Sequence, residues 1–283
     1  MQPTSQLVLN NAQRIINQIR KVVVGKDRPL MWALAAMLAK GHILLEDIPG
    51  VGKTTMALAF SKTLGLSYNR VQFTPETFDF LWGIRMNNNR DWFMEHKGQY
   101  TSTLYEPMKA LGAKLYEAIE GRPGHVCKVS RIYKDARMHP AQPYKESLWI
   151  CIRPEVEWWA ENPCLYFEIN PEGVSYGFFF YHPRTAQLED FRRAISQRPG
   201  EFLELISAVE EATATPITAQ LYKRPKETDN EALKPYFAWR GCIGCTRDIA
   251  PGEELFTPAL GDEVLDFFKK LLPLYDYFCR FQV

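Results

Sequence analysis

Between Leu7 and Lys21 the apolar residues Leu9, Ile15, Ile16 and Ile19 recur at roughly helical spacing, which predicts an amphipathic helix. "VVVGKD" breaks that pattern, and Pro29 suits the first turn of a second helix running to about Lys40. "HILLE" reads as a short buried strand, "TTMALAFSKTLG" as a helix stopped by Gly65, and "YNRVQF" as another strand. From Phe73 the texture changes. Trp92, Tyr100, Leu104, Met108, Leu111, Leu115 and Ile119 keep a helical period, with Pro107 as the expected bend or break. The runs "HVCKVSRIY", "ESLWICI", "CLYFEI" and "VSYGFFFY" then read as strands, and "TAQLEDFRRAISQ" and "GEFLELISAVEEA" as helices. A strand "ITAQLYKR", a short helix near "EALKPYFAW" and a last helix "GDEVLDFFKKLLPLYDYFCRF" follow.

Consecutive strands with short turns, followed by grouped helices, indicate an α+β fold around an antiparallel sheet rather than a βαβ chain. The expected boundary lies at "QFTPETFDF". Residues 1–72 read as a truncated P-loop α/β fragment, and residues 73–283 as a large antiparallel-sheet domain with flanking helices. A net charge of +1 gives no global attraction to nucleic acid or to an anionic membrane, so neither is an expected partner and anion recognition must be local. No apolar run approaches the ~20 residues a membrane span needs, and the first residues lack the apolar centre of a signal peptide. Cys127, Cys151, Cys164, Cys242, Cys245 and Cys279 follow no disulfide-like rhythm. These features predict a cytoplasmic protein.

"EDIPGVGKTT", residues 46–55, carries phosphate-binding chemistry. Gly50 and Gly52 permit the tight wrap that points backbone N–H groups at phosphates. Lys53 would reach the β- and γ-phosphates, and Thr54, followed by Thr55, would bind Mg²⁺. Asp47 stands where the strict motif has its first glycine. With "VVVGKD" upstream and "SKTLGLSYNRVQFTP" downstream, residues 6–75 resemble the start of MoxR-type AAA+ ATPases. The resemblance implies ATP with Mg²⁺ as cofactor, with Gly25 and Lys26 near the adenine. Hydrolysis further needs a carboxylate for the metal, a group to orient water and usually an arginine finger. The nearest imitation of a Walker B strand, "LYFEIN", has Phe167 at the metal-binding position. The sheet strands that should separate "HILLE" from "YNRVQF" in such a fold are missing too. The expectation is a fragment that holds ATP without hydrolysing it. The alternative is a MoxR-type ATPase that binds and hydrolyses ATP, its missing parts supplied by oligomerisation or unusual residues.

From "FTPETFDFLWGIRMNNNRDWFMEHKGQY" onward, through "VSRIYKDARMHPAQPYKESLWICIR", "FFFYHPRTAQLEDFRRAI" and "LYKRP", the chain resembles the bacterial family called domain of unknown function 2461. That resemblance implies no activity. The shared "FTP" at the junction looks like a gene fusion or a sequence-assembly join. Arg131, Lys134, Arg137 and Lys145 gather near Tyr133, Tyr144 and His139. If Val129 to Arg137 is extended, Arg131, Tyr133, Asp135 and Arg137 share one face, and two guanidiniums there would take a small anionic ligand, a carboxylate or phosphate. Lys223 and Arg224 of "LYKRP", and His182 at a strand end, are further candidates. The competing readings are a solvated face with Asp135 paired to an arginine, and a structural histidine. Asn87 to Asn89 read as a turn and helix cap. Cys242-x-x-Cys245 lacks the second ligand pair of a zinc site and reads as two ordinary thiols. No motif commits the domain to an enzyme class.

Overall fold

The computed structural model describes residues 5–41, 43, 45, 53–66, 73–135, 137–139 and 141–281. The chain divides into two compact units, Met1–Asn69 and Arg70–Val283.

In the first unit, helices α1 (Ser5–Arg20), α2 (Asp27–Leu38) and α3 (Lys53–Leu64) gather Ile16, Ile19, Leu30, Leu34, Met56 and Phe60 into a small core. Gly25, at φ +75°, turns the chain between α1 and α2, a conformation that glycine adopts without a Cβ penalty. Arg20 Nε donates to Asp27 Oδ1 across that turn at 2.7 Å. Ile43 and Leu45 pack against this core. The rest of "HILLE", residues 46–52 and "YNRVQ" lie outside the described residues, so the two strands expected there are not part of the fold described.

The second unit is α+β. Its strands are β1 (His125–Val129), β2 (Leu148–Pro154), β3 (Cys164–Asn170), β4 (Gly173–Phe180), β5 (Thr218–Leu221) and β6 (Trp239–Ile249). They form one sheet in the order β1-β2-β3-β4-β6-β5, with every pairing antiparallel. Before the sheet come α4 (Pro75–Met86), α5 (Arg90–Gln99) and α6 (Glu106–Tyr116); after β4 come α7 (Thr185–Gln197), α8 (Pro199–Thr213), α9 (Lys234–Phe237) and α10 (Ala259–Cys279). The pleat sends alternate residues to opposite faces. Ile150, Ile152, Leu165, Phe167, Ile169, Tyr176 and Phe178 fall on one face and are almost completely buried. There α6 packs on β1 and β2, and α10 on β3 and β4. Each such large apolar side chain contributes about 1.5–3 kcal/mol on burial. Phe167, where a Walker B strand would carry its metal-binding Asp, stacks with Phe73 at 5.9 Å and Tyr176 at 6.3 Å inside this core.

The long helical stretch from Trp92 to Ile119 is not one helix. A wide π-helical segment, Tyr100–Tyr105, joins α5 to α6, and Pro107 occupies the first turn of α6, where its missing N–H costs least. Asn89 caps α5 by accepting the Trp92 N–H at 3.0 Å, as its place in the asparagine run suggests. Helix α4 has no counterpart in the periodicity reading. It starts at Pro75, with the Thr74 N–H donating to Thr77 Oγ1 at 3.0 Å. The opposite face of the sheet carries Trp149 and Cys151 from β2, Cys164, Tyr166 and Glu168 from β3, and Ser175, Gly177 and Phe179 from β4.

Candidate functional site

The basic face expected along Val129–Arg137 does not form, because β1 stops at Val129. Ser130 ends it: its N–H donates to the Trp149 carbonyl at 2.8 Å and its Oγ accepts the Trp149 N–H at 2.9 Å. Beyond it, Tyr133 pairs with Tyr144 in an isolated antiparallel bridge, and the Met138 and His139 N–H groups close a turn on the Asp135 carbonyl. Arg137 therefore leaves the strand line and ion-pairs with Asp135 at 2.7 Å, which holds that carboxyl below the usual carboxylate range. Arg131 is exposed and makes no ion pair among the described residues.

The other candidates scatter. Tyr144 is a core residue, stacked on Phe93 at 4.3 Å, with its backbone N–H and carbonyl both bonded to the Asn88 amide at 3.0 Å. Tyr133 is exposed, with its ring edge-on to Phe93 at 5.7 Å. Arg224 is exposed in the loop after β5, at the sheet edge opposite β1. His182 is exposed just after β4, where its N–H donates to the Ala160 carbonyl at 2.9 Å and its ring lies 3.9 Å from that of Tyr181. Cys245, on β6, is buried 3.7 Å from Thr213 Oγ1, while Cys242 is half-buried. Among the described residues no group of three or more His, Cys, Asp and Glu is placed to hold a metal.

Lys134 and Lys145 do converge, on a cleft of about 370 Å³ that they share with Arg85, Glu146, Glu168 and Glu172. Its charge is mixed rather than basic. Arg85 is committed: Nε donates to Glu146 at 2.7 Å and Nη2 to Glu172 at 3.1 Å. Neither lysine ammonium has an ion pair among the described residues; burial lowers the Lys145 pKa, and its Nζ lies 5.7 Å from the centre of the Trp149 ring.

Across Trp149 the open face of the sheet holds a second pocket, of about 320 Å³, which the sequence reading did not anticipate. Trp149, Tyr166, Phe179 and Tyr181 form its aromatic walls, with Cys151 of β2 and Cys164 of β3 beside them and Glu168 at the end shared with the charged cleft. The connection between β2 and β3 makes a 3-10 turn at Trp159–Glu161 and brings Trp159, Ala160 and Asn162 over the sheet. The rings of Trp149 and Trp159 stack at 5.8 Å, and Phe179 meets Tyr166 at 5.9 Å and Tyr181 at 5.7 Å.

The polar groups here are unevenly satisfied. Tyr166 OH pairs with Ser175 Oγ at 2.8 Å, and burial pushes this phenol up to about 12. A hydrogen bond with the Cys151 thiol, together with burial, raises Cys164 well above the ordinary thiol range. Asn162 is buried, and its Nδ2 donates to the Trp158 carbonyl at 3.0 Å, which fixes the orientation of the amide. Its Oδ1 is left without a partner, an arrangement that costs ~1–3 kcal/mol. The Glu168 carboxylate makes no hydrogen bond or ion pair among the described residues.

One signal could have revealed this pocket. An antiparallel sheet with one solvated face should alternate apolar with polar residues, yet "LWICI", "CLYF" and "GFFFY" are apolar on both faces. Such runs require something to sit against the second face.

Of the nucleotide candidates, Gly50 and Gly52 lie outside the described residues. Lys53 and Thr54 open α3, and Thr55 is exposed in its first turn. The Lys26 carbonyl accepts the Leu30 N–H at 3.0 Å at the start of α2.

Residues 76–277 match a family described as a conserved hypothetical protein, DUF2461. Residues 42–105 match an ATPase family associated with various cellular activities, AAA, so the two matches overlap from residue 76 to 105. The uncharacterized protein YeaC of Bacillus subtilis is 51% identical over 63 residues, which are 22% of this chain and 20% of that protein. Chaperone MoxR1 of Mycobacterium tuberculosis is 37% identical over 68 residues, 24% of this chain and 18% of its own length. Protein MoxR of Methylorubrum extorquens is 44% identical over 65 residues, 23% of this chain and 19% of its own. The chain spans about a fifth of the length of these curated relatives. No solved structure matches it.

Proposed function

The chain belongs to the conserved hypothetical family DUF2461, and from that premise we propose that its second unit is a small-molecule-binding domain whose ligand seats in the open-face pocket. The observation that carries this reading is the aromatic wall of Trp149, Trp159, Tyr166, Phe179 and Tyr181, which closes on the single carboxylate of Glu168. Pockets of this size, largely apolar with a few convergent polar groups, are the usual form of a small-molecule site. Ligand-observed NMR of the full chain against a set of aromatic fragments tests it. Trp159 is 43% exposed, so Trp159→Ala should remove a wall without unfolding the sheet. Binding that this variant weakens about tenfold supports the reading; fragments that bind nowhere on the chain, or bind the variant equally well, sink it.

A small anion remains a reading for the neighbouring cleft, favoured by the two lysine ammoniums without ion partners there. For residues 1–72 the match of residues 42–105 to the AAA ATPase family supports ATP binding with Mg²⁺. Hydrolysis has less support, since the nearest imitation of a Walker B strand carries Phe167 in place of the metal-binding Asp, and that residue is buried in the core of the second unit. Mg-ATP at a hundred times its dissociation constant should stabilise the unit that holds it by about 2.7 kcal/mol. A melting transition of the full chain that ignores Mg-ATP, or shifts equally in Lys53→Ala, counts against nucleotide binding. The six free cysteines support a reducing compartment, the cytoplasm.

A further inference from the structure

We infer that the open-face pocket takes an organic cation, an alkyl or arylalkyl amine rather than an acid; the inference rests on that pocket being a binding site. Two observations carry it. Glu168 is the one side chain in the pocket lining that bears a formal charge at neutral pH, and it has no ion partner among the described residues. The walls are the rings of Trp149, Trp159, Tyr166, Phe179 and Tyr181, whose negative π-faces attract a cation.

The chain already illustrates the last point. Lys145 Nζ lies 5.7 Å from the centre of the Trp149 ring, at the side where the pocket meets the charged cleft. Lys134 and Arg85 line the same cleft, but Arg85 is consumed by Glu146 and Glu172. Lys145 is therefore the cation nearest to competing with an incoming amine. It is also the group an acidic ligand would seek, which gives the two charge types opposite dependences on one side chain.

Three indoles of similar size separate the possibilities: tryptamine, the uncharged tryptophol and indole-3-acetate. Dissociation constants measured by ligand-observed NMR on the full chain should rank tryptamine tightest, by roughly tenfold over tryptophol, with indole-3-acetate weakest. Glu168→Gln should bring tryptamine to within about twofold of tryptophol. Lys145→Met should tighten tryptamine by a few-fold, a gain that misfolding cannot imitate. Tryptophol binding as well as tryptamine overturns the cation inference and leaves the pocket standing; a tryptamine preference that survives Glu168→Gln overturns Glu168 as the counter-ion. Indole-3-acetate binding tightest, and weakening in Lys145→Met, overturns it in favour of an acid. If none of the three binds at millimolar concentration, the pocket reading itself falls, and the inference with it.

Discussion

Arg137 turns back on Asp135, two residues before it, and grips both carboxylate oxygens, Nε to Oδ1 at 3.0 Å and Nη2 to Oδ2 at 2.7 Å. The guanidinium that the sequence offers to an anion is already spent on a neighbour. Asp135 is held below its ordinary range, chiefly by the Arg137 side chain, so the pair's contribution is present above the unfolded carboxyl pKa and is lost as pH falls through the folded one. Arg137→Ala should raise the Asp135 titration toward the ordinary carboxylate range, the backbone N–H of residue 137 still holding it partly down, as read by NMR from its carboxyl carbon. The melting temperature at neutral pH should barely move, as for other exposed pairs. An Asp135 titration unchanged by the substitution contradicts the geometry.

Arg192 is buried, and its Nη2 and Nε donate to the Trp239 and Phe237 carbonyls at 2.7 and 3.3 Å, tying α7 to the start of β6. Arg192→Leu strands both acceptors, at about 1–3 kcal/mol each. The urea midpoint should fall accordingly with its slope unchanged. A stability loss near zero would mean that water replaces the guanidinium.

Gly177 sits mid-strand in β4 at φ +153°, and a Cβ there would stand 2.1 Å from the Cys245 carbonyl of β6. Gly177→Ala must either strain the backbone or open the central β4–β6 pairing, which sets a cost of about 1–3 kcal/mol or more. Gly200→Ala, on α8 with open space around it, is the matched control and should be neutral or slightly stabilising. Equal melting temperatures for the two variants would refute the steric argument.

Burial pushes Tyr166 up to about 12, as it does Tyr277. The unfolded chain ionises these phenols first, so their contribution is complete below about pH 10 and is lost as pH rises toward 12. Stability should therefore fall across that window, by up to about 1.4 kcal/mol per pH unit for each phenol. Tyr166→Phe should flatten the fall, as followed by phenolate absorbance and urea midpoints. A fall of the same steepness in the variant would place the linkage elsewhere.

Much of the second unit is legible in its sequence, because burial on the helix-covered face imposes a rhythm that local residues carry. "TAQLEDFRRAISQ" spans α7, Thr185–Gln197, and the run from Cys164 contains β3. The pocket is not legible in that way. Cys151, Cys164 and Phe179 come from three strands and meet only through register, Cys164 opposite Phe179 and Cys151 opposite Tyr166, which no single stretch encodes. The basic face failed for a local reason: alternation was carried past Val129, where Ser130 takes up the Trp149 backbone and Asp135 starts a turn. Helix α4 was hidden because its residues mix apolar and polar positions without a clear stripe, and its start is set by Thr74 and Pro75 rather than by periodicity.

The pleat of β3 gives its residues two histories. Leu165, Phe167 and Ile169 answer to the packed helices, and a change in any of them is felt by every molecule as it folds. Tyr166 and Glu168, one step along the same strand, line the pocket on the other side. A lineage could therefore reshape that pocket by revising alternate letters of a single strand, while the face against the helices kept its own.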